Sequence, residues 1–242
     1  MTTDFSWLSR TELLIGKEAL HKLAQSHVMV VGLGGVGSYA AEFIARAGVG
    51  KMTIVDGDVV DPSNRNRQLP ALVSTHGVSK ADWMAARIKD INPEIKLNVI
   101  KEFLSPEKAY EIVGKYEYDY IIDAIDSITP KINLIKAAYA LKRKIVMSGG
   151  AGGKVDPTQL TVSDLSKTYN CVFVKSIRKR LKKDKIYKGI KVVFSSELPD
   201  KSSLIMTDGT NFKKSAYGTV SYLPAAFGGV CASVVIRDLM TE

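Results

Sequence analysis

The 242-residue sequence has two cysteines, three histidines and two tryptophans, and each shortage closes a route. Cys171 and Cys231 can make neither a disulfide framework nor a Cys-x-x-Cys zinc site, so a reducing compartment is the natural setting. His21, His27 and His76 lie outside any motif and read as structural or surface groups. The first ten residues carry Asp4 and no apolar run of signal-peptide length, which predicts a cytoplasmic location rather than secretion. Long apolar runs are scarce too. Ser215 to Ile236 holds no charge over 22 positions, yet Gly218, Pro224, Gly228, Gly229 and several hydroxyl residues interrupt it. A spanning helix needs about 20 mostly apolar residues. A core helix over roughly Ala225 to Met240 is therefore expected in preference to a membrane span.

What is present suffices for a sizeable core, since 45% of the residues are hydrophobic and 24% charged. His27 to Leu33 is a Val-rich run ending in glycines, and Val36 to Ala47 turns Ala-rich with helical spacing. Strands are expected at Met52 to Val55, Ile95 to Ile100, Tyr118 to Ala124 and Lys144 to Met147. Helices are expected at Lys80 to Ile91, where Trp83, Ala86, Arg87 and Asp90 recur at 3/4 spacing, and at Pro106 to Lys115 and Pro130 to Leu141. Such alternation predicts an α/β fold, a Rossmann-like and mostly parallel sheet with helices on both faces. After Gly149 come glycines, short β-like runs (Gln159 to Val162, Lys191 to Ser195) and a basic helix. No Pro/Ser-rich linker intervenes. The expectation is one domain over 1–242, with a nucleotide-binding core at about 27–150 and a C-terminal α+β elaboration at about 151–242.

Gly32-Leu33-Gly34-Gly35-Val36-Gly37-Ser38 lies between the first strand and the first helix, where backbone N–H groups can approach an anion. A glycine turn also serves tight packing alone. Asp56, about 20 residues on at the end of the second strand, can accept hydrogen bonds from ribose hydroxyls, and the two signals together predict an adenine nucleotide. A nicotinamide dinucleotide would usually call for a further catalytic domain, and the chain after Met147 leaves little room for one. Asn64, Arg67 and Gln68 in the loop after Asp56, with Lys80 opening the next helix, suit a triphosphate, so ATP is favoured. Arg65 reads as a surface charge. Asp126, at the carboxyl end of a strand, points toward the ligand crevice as a magnesium ligand or, alternatively, opens a helix with Ser127, Thr129 and Pro130. Asp123 reads as buried support.

These residues resemble the ATP-dependent adenylating enzymes of the ubiquitin-activating, molybdopterin and thiamine-biosynthesis type. The resemblance is carried by Gly32 to Ser38, Asp56-x-Asp58, Asn64-x-Asn66-Arg67-Gln68, Lys80 and Asp123-Ala124-Ile125-Asp126. It implies that Asp56 binds the ribose, that Asn64, Arg67, Gln68 and Lys80 handle the phosphates, and that Asp126 binds magnesium. Arg10, followed by Ile15 to Leu20, looks like the arginine that reaches the ATP of the other subunit in a homodimer. Within the family the chain is most similar to the branch that dehydrates threonylcarbamoyladenosine in tRNA. Ser148 to Gly153, Asp156 to Gln159, Val193 to Glu197, Asp208-Gly209-Thr210 and the glycine-rich tail point there, whereas Lys167 to Val172 and Val193 depart from that branch's pattern. The branch implies a tRNA partner and no DNA; the sequence does not fix whether the chain has the sulfur-relay protein partners of some members.

Charge supports an RNA partner independently. Lys175 to Lys191 holds nine of the 34 basic residues against one acid, and outside it 25 basic face 24 acidic residues. Phe173, Ile177 and Leu181 recur every four residues, predicting a helix with basic flanks on which Arg178, Lys179, Lys182 and Lys183 would track phosphates. A solvated charged face is the bland alternative. Cys231 reads as core and Cys171 as lying on an exposed helix. The favoured activity is ATP-dependent ring closure of threonylcarbamoyladenosine through an acyl adenylate, with Arg67, Lys80, Asp126 and Arg10 as the acting residues. Adenylation of a small carrier protein's carboxyl terminus is the rival, although many such relatives carry paired Cys-x-x-Cys ligands. A non-catalytic nucleotide-binding regulator would not need Arg67, Lys80 and Asp126 together.

Overall fold

The computed structural model describes residues 6–206 and 215–241. Asp208, Gly209 and Thr210 of the branch motif lie outside them. After α1 (Ser9–Gln25), kinked at Gly16, the chain alternates strand and helix: β1 (His27–Val31), α2 (Gly37–Arg46), β2 (Lys51–Val55), α3 (Lys80–Ile91), β3 (Lys96–Ile100), α4 (Pro106–Lys115), β4 (Tyr120–Asp123), α5 (Ile128–Ala140) and β5 (Ile145–Ser148). Then follow β6 (Leu160–Asp164), α6 (Val172–Leu181), β7 (Lys191–Ser195), a β8 (Leu204–Met206) and β9 (Ser215–Tyr217) ribbon, and α7 (Tyr222–Thr241). The seven-stranded sheet has the order β3-β2-β1-β4-β5-β7-β6, parallel except for β6.

Side-chain alternation along a strand divides the core in two. Val28 and Val30 of β1 face α2, α3 and α7, whereas Met29 and Val31 face α4, α5 and α6. β1 and β4, buried on both faces, read as unbroken apolar runs for that reason. α3 and α4 fall where the sequence places them, each opened by a serine cap (Ser79 and Ser105) and α4 also by Pro106. The side of α3 turned to the core is Ala81, Met84 and Ile88; Arg87 instead binds Glu42 of α2. The expected strands at His27 to Leu33 and Tyr118 to Ala124 are shorter than the apolar runs, because Gly32 turns and Tyr118 belongs to the entry loop.

α7 is long and apolar enough to cross a membrane, but half of its most apolar stretch is buried in the protein. Leu223, Phe227, Cys231, Val234, Val235 and Leu239 pack it against α2, α1 and β5. It begins at Tyr222, three residues before the expected Ala225, since Pro224 sits in its first turn, where no intrahelical N–H is needed.

The basic run is not one helix. α6 ends at Leu181, a single tight turn covers Lys182–Asp184, and Lys185 takes a left-handed conformation (φ 60°). Ile186 and Ile190 are buried and draw the chain back to the sheet, where Lys191 opens β7. The stripe that α6 buries is Val174, Ile177 and Leu181, with Phe173 displaced to the cleft side.

Candidate active site

The carboxyl ends of β1, β2, β4 and β5 open into one cleft of about 780 Å³, the place where ligands of parallel sheets bind. Gly32 (φ +86°) turns the chain off β1, and its N–H donates to the Val55 carbonyl at 2.8 Å. A Cβ on Gly37 would stand 1.7 Å from the Gly32 carbonyl oxygen, so the turn closes only with glycine there. Gly32, Gly34 and Gly35 line the cleft. Gly37 and Ser38 do not line it, contrary to expectation: Gly37 packs on the turn itself, and the fully buried Ser38 gives its hydroxyl to the Gly34 carbonyl at 2.6 Å. Both shape the turn rather than touch a ligand.

Asp56 is held at the cleft wall by two backbone donors. Leu33 N–H reaches its Oδ2 at 2.6 Å and Asp58 N–H its Oδ1 at 2.8 Å, which leaves one lone pair on each oxygen for a diol. Burial pushes its pKa above the ordinary carboxylate value against the pull of Lys80 and of these N–H groups. Lys80, 5% exposed at the start of α3, places its Nζ 3.1 Å from Asp58 Oδ2. Asn64 is buried and closes a capping box with Asp61, while Arg67 Nη1 donates to Ser63 O and Asn66 Oδ1. All three line the cleft, as does Gln68. Gln68 Oε1 is buried without a hydrogen-bond partner, an orphaned acceptor that a ligand donor would satisfy. Arg65 is exposed, as its sequence context implies.

The two carboxylates at the carboxyl end of β4 separate by environment. Asp123 is fully buried in an ion pair with Lys131 (2.8 Å), whose Nζ also donates to the carbonyls of Asp123 and Ile125. Burial raises the Asp123 pKa and Lys131 opposes the rise. Asp126 is exposed on the cleft, and the cap position of α5 falls to Ser127. Among the described residues no three His, Cys, Asp or Glu side chains are grouped to hold a metal. Magnesium asks for less, since one or two carboxylates plus substrate phosphates suffice.

The structure brings Asp56, Asn64, Arg67, Gln68, Lys80 and Asp126 into one cavity. Arg10 is exposed on α1 and does not line it. Lys179, Lys182 and Lys183 are exposed, but Arg178 is half-buried, its Nη1 held by the Leu165 and Thr168 carbonyls and the Thr168 hydroxyl. It pins the loop before α6 and is no free phosphate ligand. Cys171 is buried at the start of α6 and lines the cleft, where the sequence placed it on an exposed helix; Gly150 lies against its thiol. Cys231 is core, its thiol pushed up to about 12 by burial.

Sequence reasoning also missed Lys154, 3% exposed, which lines the cleft and donates to the Ser195 carbonyl at 3.1 Å. Its place directly after the Ser148 to Gly153 glycine stretch was the available signal. Phe173, Tyr217 and Thr219 complete that wall.

Proteins similar to this chain over nearly its whole length are known. The chain is 42% identical over 241 residues to the tRNA threonylcarbamoyladenosine dehydratase of Bacillus subtilis (strain 168), covering 97% of this chain and 94% of that one. The crystal structure of the E. coli tRNA N6-threonylcarbamoyladenosine dehydratase in complex with ATP is 38% identical and covers 100% of this chain and 97% of its own, with a TM-score of 0.89. The same protein in complex with AMP gives 38% identity, 100% and 98% coverage, and a TM-score of 0.88. A match to the ThiF family spans residues 8–242 and so takes in the glycine turn, the cleft and α7 alike; the chain belongs to the ThiF family.

Proposed function

We propose that this chain is an ATP-dependent dehydratase of threonylcarbamoyladenosine in tRNA. The observation that carries the reading is a single cleft lined by the glycine turn, the Asp56 carboxylate, the cations Arg67 and Lys80, and the exposed Asp126 carboxylate. Relatives at about this identity over nearly the full length carry that name.

In this reading Asp56 accepts the two ribose hydroxyls and the N–H groups of Gly34 and Gly35 face the phosphates. Arg67 and Lys80 offset the charge that builds on the departing pyrophosphate. Magnesium fits Asp126 together with the phosphates, and it would supply Lewis-acid stabilisation of that same charge. The threonyl carboxylate attacks the α-phosphorus and becomes an acyl adenylate. The neighbouring urea then closes on the acyl carbon and AMP leaves, with net loss of one water. Such chemistry depends on positioning and charge more than on a protein nucleophile, in keeping with a buried Cys231. The proposed reaction takes place in the cytoplasm, and its tRNA backbone runs along Lys179, Lys182 and Lys183.

Pyrophosphate release with tRNA bearing threonylcarbamoyladenosine, against unmodified tRNA and a small carrier protein, tests the reading. Release with the carrier alone would replace it by the rival. Arg10 is assigned to the site of a second copy. It shares the exposed face of α1 with Leu13 and Leu14, 85% and 86% exposed, which a homodimer would cover. Mixing Arg10→Ala with Lys80→Ala chains should restore part of the activity, because one hybrid site then holds both residues. Demonstrated heterodimers without rescue would place the whole site in one chain.

A further inference from the structure

At the end of the cleft away from the ribose carboxylate stands a buried amine that adenylation does not employ. Lys154 lines the same cavity as Gly149, Gly150, Cys171, Phe173 and Asp126, and among the described residues its one hydrogen-bond acceptor is the Ser195 carbonyl at 3.1 Å. Two titratable groups act on it, the Cys171 thiol and the Glu197 carboxylate. Glu197 is engaged by the N–H groups of Val155 and Asp156, so it holds the loop more than it pairs with the amine.

Ring closure, on the reading given above, imposes a proton demand. A bond forms from the urea to the acyl carbon and the acyl–O–P bond breaks, its electron pair leaving with AMP. Whether a urea nitrogen or the urea oxygen attacks, the urea must give up one N–H proton. No histidine lines the cleft among the described residues. Arg67 cannot act as a base, Lys80 is paired with Asp58 at the phosphate end, and the carboxylates are weaker bases than an amine. We propose that the Lys154 amine accepts the urea proton during ring closure. Burial favours its neutral form and outweighs the opposing influence of Cys171 and Glu197, so the free amine is available at lower pH than for an ordinary lysine.

Single-turnover reactions with ATP and tRNA bearing threonylcarbamoyladenosine test this assignment in Lys154→Met and Lys154→Arg enzymes. Ring product is read by mass and acyl adenylate by trapping with hydroxylamine. Both variants should close the ring about 10²–10⁴-fold more slowly and accumulate trappable adenylate. The wild-type ring-closure rate should rise with pH through the amine's titration, and that inflection should vanish in both variants. Ring closure at the wild-type rate in Lys154→Met overturns the proposal. So does a wild-type rate in Lys154→Arg, since positive charge would then be what matters; this variant keeps the length and charge of the side chain should Lys154→Met fail to fold. Loss of trapped adenylate together with ring product in variants that still bind ATP would move Lys154 to the adenylation step and overturn it as well. A wild-type enzyme forming neither adenylate nor ring would overturn the dehydratase reading and this assignment with it.

Discussion

The two walls of the cleft are built differently. On the wall formed by the loops after β1, β2 and β4, the bonds that hold the site side chains span at most 23 residues: Asp56 accepts from Asp58 and Leu33, Lys80 pairs with Asp58, Asn64 with Asp61, and Lys131 with Asp123. On the opposite wall the bonds join distant segments. Lys154 meets Ser195, Glu197 holds Val155 and Asp156, Gly153 N–H meets the Gly218 carbonyl, and Tyr222 hydroxyl reaches the Val155 carbonyl. Local bonds form with the strand–loop–helix unit that carries them. Distant bonds require the sheet to be complete, because closing long loops costs entropy before any contact repays it.

The sharpest way to break the comparison is to cut a local bond with long reach. Lys131→Met leaves the Asp123 carboxylate buried and unpaired, with Oδ2 lacking a partner already. The expected cost is about 3–5 kcal/mol by denaturant unfolding. Since burial puts the folded-state pKa of Asp123 above its unfolded value, the folded protein binds the proton more tightly. Losing Lys131 removes what opposes that rise, so the variant holds the proton more tightly than the parent, and the deficit should shrink as pH falls and grow as pH rises through the variant's folded value. A deficit under 1 kcal/mol, or one that widens in acid, would count against the pair as the support beneath the site.

Asp126→Asn, three residues away, should act on rate instead. Turnover is expected to fall about 10²–10³-fold, on the order of 3–4 kcal/mol of transition-state stabilisation, with ATP affinity only modestly reduced. Thermal stability should stay within about 0.5 kcal/mol of the parent. Near-normal turnover would remove Asp126 from the chemistry.

On the distant wall, Glu197→Ala releases two backbone donors and should cost about 1 kcal/mol. Ring closure on tRNA should suffer more than ATP binding, as measured by isothermal titration beside single-turnover rates. Equal losses in both would mean that the two walls fold as one unit.

The smallest effects belong to the surface. Changing Lys179, Lys182 and Lys183 to Gln should flatten the log–log salt dependence of tRNA binding by about two, at roughly 0.7–0.9 per lost phosphate contact. Arg178→Gln should leave that slope in place and lower stability by about 1 kcal/mol, because its guanidinium is spent on Leu165 and Thr168. A slope unchanged by the three lysines would locate the RNA footprint elsewhere.

Residue order by itself determined the parallel sheet, since runs such as Val28–Val31 and Tyr120–Ile122 are apolar at every position and glycines punctuate them. It also placed Asp56, Asn64, Arg67, Gln68 and Lys80 after strands of that sheet, and the bonds of Asp56, Asn64 and Lys80 stay within neighbouring strand–loop–helix units. Tertiary structure decided the rest. Ser38 and Gly37 turn inward because the helix dips onto the Gly32 carbonyl, and Arg178 is drawn from the basic face by carbonyls ten and thirteen residues away. Lys154 is a cleft residue through its bond to Ser195 of β7, the seventh strand in the chain and the neighbour of β5 in the sheet. A pattern with a period of two or 3.6 residues can report which face of its own element a side chain occupies, but a wall made by segments some forty residues apart exists only once the chain has returned to the same edge of the sheet.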